Sequence, residues 1–96
     1  MNAWTELRKK YHWLQHSVAM GDLCTESIKS LLRLAEAAEN GDRDAGNRFR
    51  AEIDKLEDWW CMYWDQAQYL DIDVSQIHGY DASLLEKTER ELAAEK

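Results

Sequence analysis

The chain is 96 residues long, 45% apolar and 32% charged, enough for one hydrophobic core and too little for two. Proline is absent and glycine occurs four times, so turns are few and a sandwich or barrel of short strands is excluded. The net charge of −7 is unevenly spread, with +2 on residues 1–34 and −9 on residues 35–96, which sets the second part against direct contact with nucleic acid or an anionic membrane.

Four segments have helical periodicity, and together they predict an all-α bundle of three to four helices, a single domain over residues 1–96. In the first, residues 3–20, Trp4, Leu7, Tyr11, Leu14 and Val18 alternate three- and four-residue steps along one stripe. Asn2 is its expected N-cap and Gly21 its stop. The second, residues 23–39, gathers Cys24, Ile28, Leu31, Leu32, Ala35 and Ala38 on one face, with Asp22 or Thr25 as cap. Its closing alanines would admit a neighbouring helix closely, and Asn40-Gly41 ends it.

The third segment, residues 43–70, is the longest. Phe49, Ile53, Leu56, Trp60, Tyr63, Ala67 and Leu70 keep heptad spacing throughout, behind Asp42 or Asp44 as cap. At 1.5 Å per residue this helix reaches roughly 40 Å against about 27 Å for the first, so it should overhang its partners. Residues 71–79 lose the pattern and read as a connector, with one short helical turn after Ser75. The fourth segment, residues 82–94, has Asp81 as cap and a staple of Tyr80 on Leu85. Its stripe is thin, only Leu84, Leu85 and Leu92 around Thr88, so it should fray first.

His12 and His16 stand four apart, a spacing at which two imidazoles on a helix can share a metal. They lie opposite the Trp4–Leu7–Tyr11 stripe, and neither a CxxC pair nor a second HxxxH supplies further ligands. Solvent-facing histidines are expected, with no metal and no other cofactor. Glu36 with Glu39, and Glu52 with Glu57 and Asp58, resemble the acidic helices of all-α nucleotide pyrophosphohydrolases. The resemblance implies carboxylates that hold magnesium and release of pyrophosphate, but the doubled-glutamate helix motif of that family is missing here. Cys24 and Cys61 sit in helical runs without a glycine-rich turn to build an oxyanion hole. Cys24 is expected in the core and Cys61 partly exposed, and no enzyme is expected. The N-terminus lacks the basic-then-apolar layout of a secretion signal, so the expected compartment is the cytosol, where thiols stay reduced.

The segment from Glu57 to Asp65 holds three of the five tryptophans. At about 100° per residue Trp60 and Tyr63 point to the core, and Trp59 and Trp64 flank it on either side. Asp58, Met62, Asp65 and Tyr69 then form a second stripe that alternates acid with apolar. Trp13 and Met20 likewise lie off the main stripe of the first segment. Aromatic, methionine and charged groups together make up protein interfaces, and acidic charge asks for arginine or lysine opposite.

The expected function is a non-enzymatic binding protein, an inhibitor or adaptor docking on a basic patch of another protein, such as one that holds nucleic acid. In size and charge the chain resembles the small acidic inhibitors of phages and mobile elements, anti-CRISPR proteins among them. The candidate partner-binding residues are Asp58, Trp59, Met62, Trp64, Asp65 and Tyr69, with Asp71 and Asp73 as rim charges. The alternative is a structural subunit whose overhang is buried in a homodimer.

Overall fold

Asp42 starts the longest element of the molecule. Its carboxylate accepts the Ala45 amide at 3.1 Å, filling one of the donors a helix start leaves open. The helix then runs for 28 residues, Arg43–Leu70, and ends at Asp71 in the left-handed conformation, with φ 55° and ψ 48°. Asp adopts that geometry more readily than most residues. The computed structural model describes residues 3–94, so the cap expected at Asn2 lies outside them. In chain order the helices are α1 (Ala3–Lys10), α2 (Leu14–Ala19), α3 (Thr25–Glu39), α4 (Arg43–Leu70) and α5 (Ala82–Ala94), with a 3₁₀ turn at Val74–Gln76.

The fold is all-α and is organised on α4. At 1.5 Å per residue α4 is about 42 Å long, close to the 44 Å longest dimension of the molecule. Its first half packs along α3. The two approach closely where the alanines of α3 end, since a Cβ on Gly46 would lie 3.6 Å from the Cβ of Ala38. The main core joins Trp4 and Leu7 of α1, Leu14 and Val18 of α2, Ile28 and Leu31 of α3, Ile53 and Leu56 of α4, and Leu92 of α5. A second, smaller cluster of Ala67, Val74 and Ile77 lies at the far end of α4, where Met20, Trp60, Tyr63, Ile72 and Tyr80 close around it. The connector after α4 therefore folds back and seals the inner side of the rod. Leu70, expected in the core stripe, is 50% exposed, because the chain turns away at Asp71 before anything reaches it.

The first predicted helix is two helices. It breaks after Lys10, and the chain turns through Tyr11–Trp13 with Leu14 N–H bonded to the Tyr11 carbonyl and His16 N–H to the Trp13 carbonyl, each at 3.0 Å. These are the tighter three-residue bonds of a 3₁₀ turn. No glycine or proline stands there. The aromatic side chains carry the break: Tyr11 meets Trp13 edge-on at 6.3 Å and Phe49 of α4 at 6.2 Å. The turn brings Trp13 onto the main core and Met20 onto the second cluster, so the off-stripe residues of the first segment are covered.

The caps of α3 and α5 also resolve. Neither Asp22 nor Thr25 caps α3; Cys24 occupies the N-cap position in an extended conformation, without a side-chain bond to the helix amides. Cys24 is exposed, contrary to its expected place in the core. Asp22 instead accepts the hydroxyl of Tyr63, and Thr25 donates to Glu91 Oε1 of α5 at 2.5 Å. At the start of α5, Asp81 accepts both the amide (3.0 Å) and the hydroxyl (2.6 Å) of Ser83. The Asp81 amide donates to the Ala19 carbonyl at 2.9 Å, tying α5 to α2. The staple of Tyr80 on Leu85 is replaced by a division of labour, with Tyr80 on the second cluster and Leu85 on the main one.

Candidate interaction face

Because none of the described helices lies against the outer side of α4, its side chains end in solvent. Met62 is 59% exposed, Trp64 49% and Tyr69 88%. Asp58 and Asp65 are exposed beside them. With about 100° between successive residues, Met62 and Tyr69 lie to one side of Asp65 and Trp64 to the other. The connector that seals the inner side leaves this outer half-circumference open. Large exposed apolar groups at one place on a small protein mark a contact surface more often than isolated ones do.

The remaining candidates are placed differently. Trp59 is half-buried against the main core, with the Lys55 ammonium 5.5 Å from its ring centre. It lines a groove of about 540 Å³ between α3 and α4, together with Leu31, Leu34 and Leu56. It thus belongs to the α3 side and does not join Met62 and Tyr69. Asp71 is the left-handed cap of α4. Asp73 caps the 3₁₀ turn: its carboxylate faces the Ser75 amide at 3.4 Å, and its own amide donates to Gln76 Oε1 at 2.9 Å. Both aspartates remain exposed at the edge of the open face.

Trp64 is coupled to the interior through a row of rings that the sequence does not announce. It touches Trp60 at 5.8 Å, and Trp60 stacks on His16 at 4.9 Å with 9° between the planes. Nδ1 of His16 lies 2.8 Å from the hydroxyl of Tyr80. The turn at Tyr11–Trp13 makes this possible, since it rotates His16 from the solvent side it would occupy on an unbroken helix toward α4. His12 remains exposed, beside Gln15. The His16 ring is thus engaged with Trp60 and Tyr80. Among the described residues no group of three or more His, Cys, Asp or Glu side chains is placed to hold a metal ion.

Burial holds the His16 pKa below its ordinary value, helped by the nearby His12 and Arg8 and opposed by Asp73. The unfolded chain takes up this proton near pH 6.5, and the folded chain takes it up only at lower pH. Between the two the unfolded state binds more protons, so stability falls as pH falls below about 6.5 and levels off below the folded pKa. Thermal unfolding at stepped pH should show this slope, and His16→Gln should flatten it over the same interval. Tyr63 shows the opposite sense: burial, and then its bond to Asp22, push its pKa up to about 12.

The paired carboxylates Glu36, Glu39, Glu52, Glu57 and Asp58 are all exposed, and Glu52 faces Lys55 at 3.9 Å. Cys24 lies 3.2 Å from the Ser27 hydroxyl, a contact that holds its thiol pKa below the usual range. It sits on a cleft of about 660 Å³ between α3 and α5, lined also by Leu84 and Thr88. Cys61 is exposed on α4. No helix among the described residues is long and apolar enough to cross a membrane. No family model, curated protein or solved structure matches the chain.

Proposed function

We propose that the chain is a protein-binding module, an inhibitor or adaptor without chemistry of its own, that docks the open half of α4 on a basic patch of another protein. The observation that carries this reading is the exposure of Met62, Trp64 and Tyr69 among Asp58 and Asp65, on a helix whose inner side packs on two apolar clusters. Apolar anchors ringed by charge are what interface centres and rims are made of. No Lys or Arg lies between Lys55 and Lys87, so an arginine- or lysine-bearing surface is attracted and a phosphate surface repelled. Basic patches commonly serve nucleic acid, and covering one would deny nucleic acid its site.

The test is capture of partners from a lysate of the source cells at low and high salt, followed by affinity measurement on the purified pair. Trp64→Ala should weaken that binding by about 2 kcal/mol or more, and salt should weaken it further. A helical, normally folded Trp64→Ala protein with unchanged affinity would remove this surface from consideration.

A further inference from the structure

One side of α4 carries a pattern that continues past the aromatic overhang, and its first half, at Arg48, Ala51 and Lys55, borders the groove to α3. From Asp44 to Tyr69 eight residues follow alternating steps of four and three, and all eight are exposed. Alternating steps of this kind form the seam along which two helices pack side by side. The seam is divided by charge: Arg48 and Lys55 fall in its first half, Asp58 and Asp65 in its second. Reversed about the point midway between Lys55 and Asp58, it maps onto itself. Lys55 then faces Asp58 of a second copy, and Arg48 faces Asp65. Ala51 leaves room opposite Met62, and Asp44 meets the hydroxyl of Tyr69.

We propose that the free protein pairs with a second copy of itself along this seam, antiparallel and in this register. The pairing rests on the reading above in one respect, that Met62 and Tyr69 belong to a contact face; it adds which basic surface covers them. Two-fold symmetry repeats every contact, which makes four ion pairs in this register. Sliding by one heptad in either direction leaves two, and a parallel arrangement sets Asp58 on Asp58 and Asp65 on Asp65. The basic half of each copy therefore covers the aromatic half of the other. The existing partners of these cations are weak ones: Arg48 lies 3.9 Å from Asp44, and Lys55 lies 3.9 Å from Glu52 and 5.5 Å from the centre of the Trp59 ring, with both cations exposed. Such surface pairs exchange at little cost. One helix seam is small beside the roughly 1,200–2,000 Å² of a stable interface, so the pairing is reversible and sensitive to salt.

Sedimentation of the purified full chain over a concentration series, at low and high salt, tests it. The wild type should dimerise at low salt and dissociate as salt rises. Lys55→Glu turns two of the ion pairs into like-charge contacts and should weaken dimerisation by about tenfold or more. The in-register exchange, Lys55→Asp together with Asp58→Lys, should restore it. Circular dichroism confirms that each variant remains helical. A wild type that stays monomeric at every concentration overturns the proposal, as does dimerisation unmoved by Lys55→Glu or not restored by the exchange. Trp64 lies off the seam, so Trp64→Ala should leave the dimer intact while it weakens a basic partner. Lys55→Glu should do the reverse, and the two readings fail separately.

Discussion

Replacing Leu14 with alanine is expected to destabilise the protein by about 2–5 kcal/mol, the range for emptying a fully enclosed leucine site. Leu14 is 0% exposed and is the first residue of α2, where the chain resumes its helix after the turn at Tyr11–Trp13. The side chain plugs the main core at the point where α1 and α2 part, so the surroundings have little freedom to collapse into the space. For a domain whose whole stability is of the order of 5–15 kcal/mol, that loss brings a sizeable unfolded fraction. Urea unfolding followed by circular dichroism measures it. Leu84→Ala is the control: at 37% exposure it should cost well under half as much.

The second large effect is expected at Glu89. One carboxylate oxygen accepts two donors from α1, the indole N–H of Trp4 at 3.1 Å and Nη1 of Arg8 at 2.5 Å. Trp4 is 2% exposed, so when the acceptor is removed its N–H is left to the water that can enter over the part-exposed Glu89 position. Glu89→Ala should therefore cost about 1–2 kcal/mol, from the lost indole bond and an ion pair weakened by solvent. Arg8 also bonds Gln15 at 3.0 Å and keeps one partner. Glu89→Gln retains an acceptor for the indole and should lose about half as much, through the charge alone. If the two substitutions proved equally costly, the ion pair rather than the indole would be the main tie between α1 and α5.

The long helix was readable because its apolar residues repeat without a gap from Phe49 to Ala67 and Asp42 stands at its start. Both bounds of α4 and the start of α5 follow from such local signals. Exposure of Met62, Trp64 and Tyr69 was readable for a related reason, since one helix cannot bury its whole circumference in a bundle this thin. The break after Lys10 was not readable. An unbroken helix satisfies the Trp4–Val18 stripe equally well, and only the contacts of Tyr11 with Phe49 and of His16 with Trp60 favour the turn. Everything downstream of that turn was hidden with it, including the inward swing of His16 and the burial of Trp13. Cys24 misled for a different reason: helical phase places it on the apolar face, but α3 starts one residue later, and an N-cap lies outside the phase of the helix it precedes. Trp59 was rightly placed at the flank of the core; that α3 and Lys55 would enclose it depends on packing that no local pattern records.

The order of charge along α4 has one more consequence. A helix presents partial positive charge at its N-terminus and partial negative charge at its C-terminus, and acids near the first with bases near the second are worth about 0.3–1 kcal/mol each. The effect falls off within one turn of each end: at the positive end Arg43 is set against Asp42 and Asp44, while at the negative end Asp71 stands unopposed. No base favours the last turn. Taken singly, the rod is charged against its own dipole at the C-terminal end. Laid head to tail beside another, that end would find in its neighbour the field that its own backbone denies it.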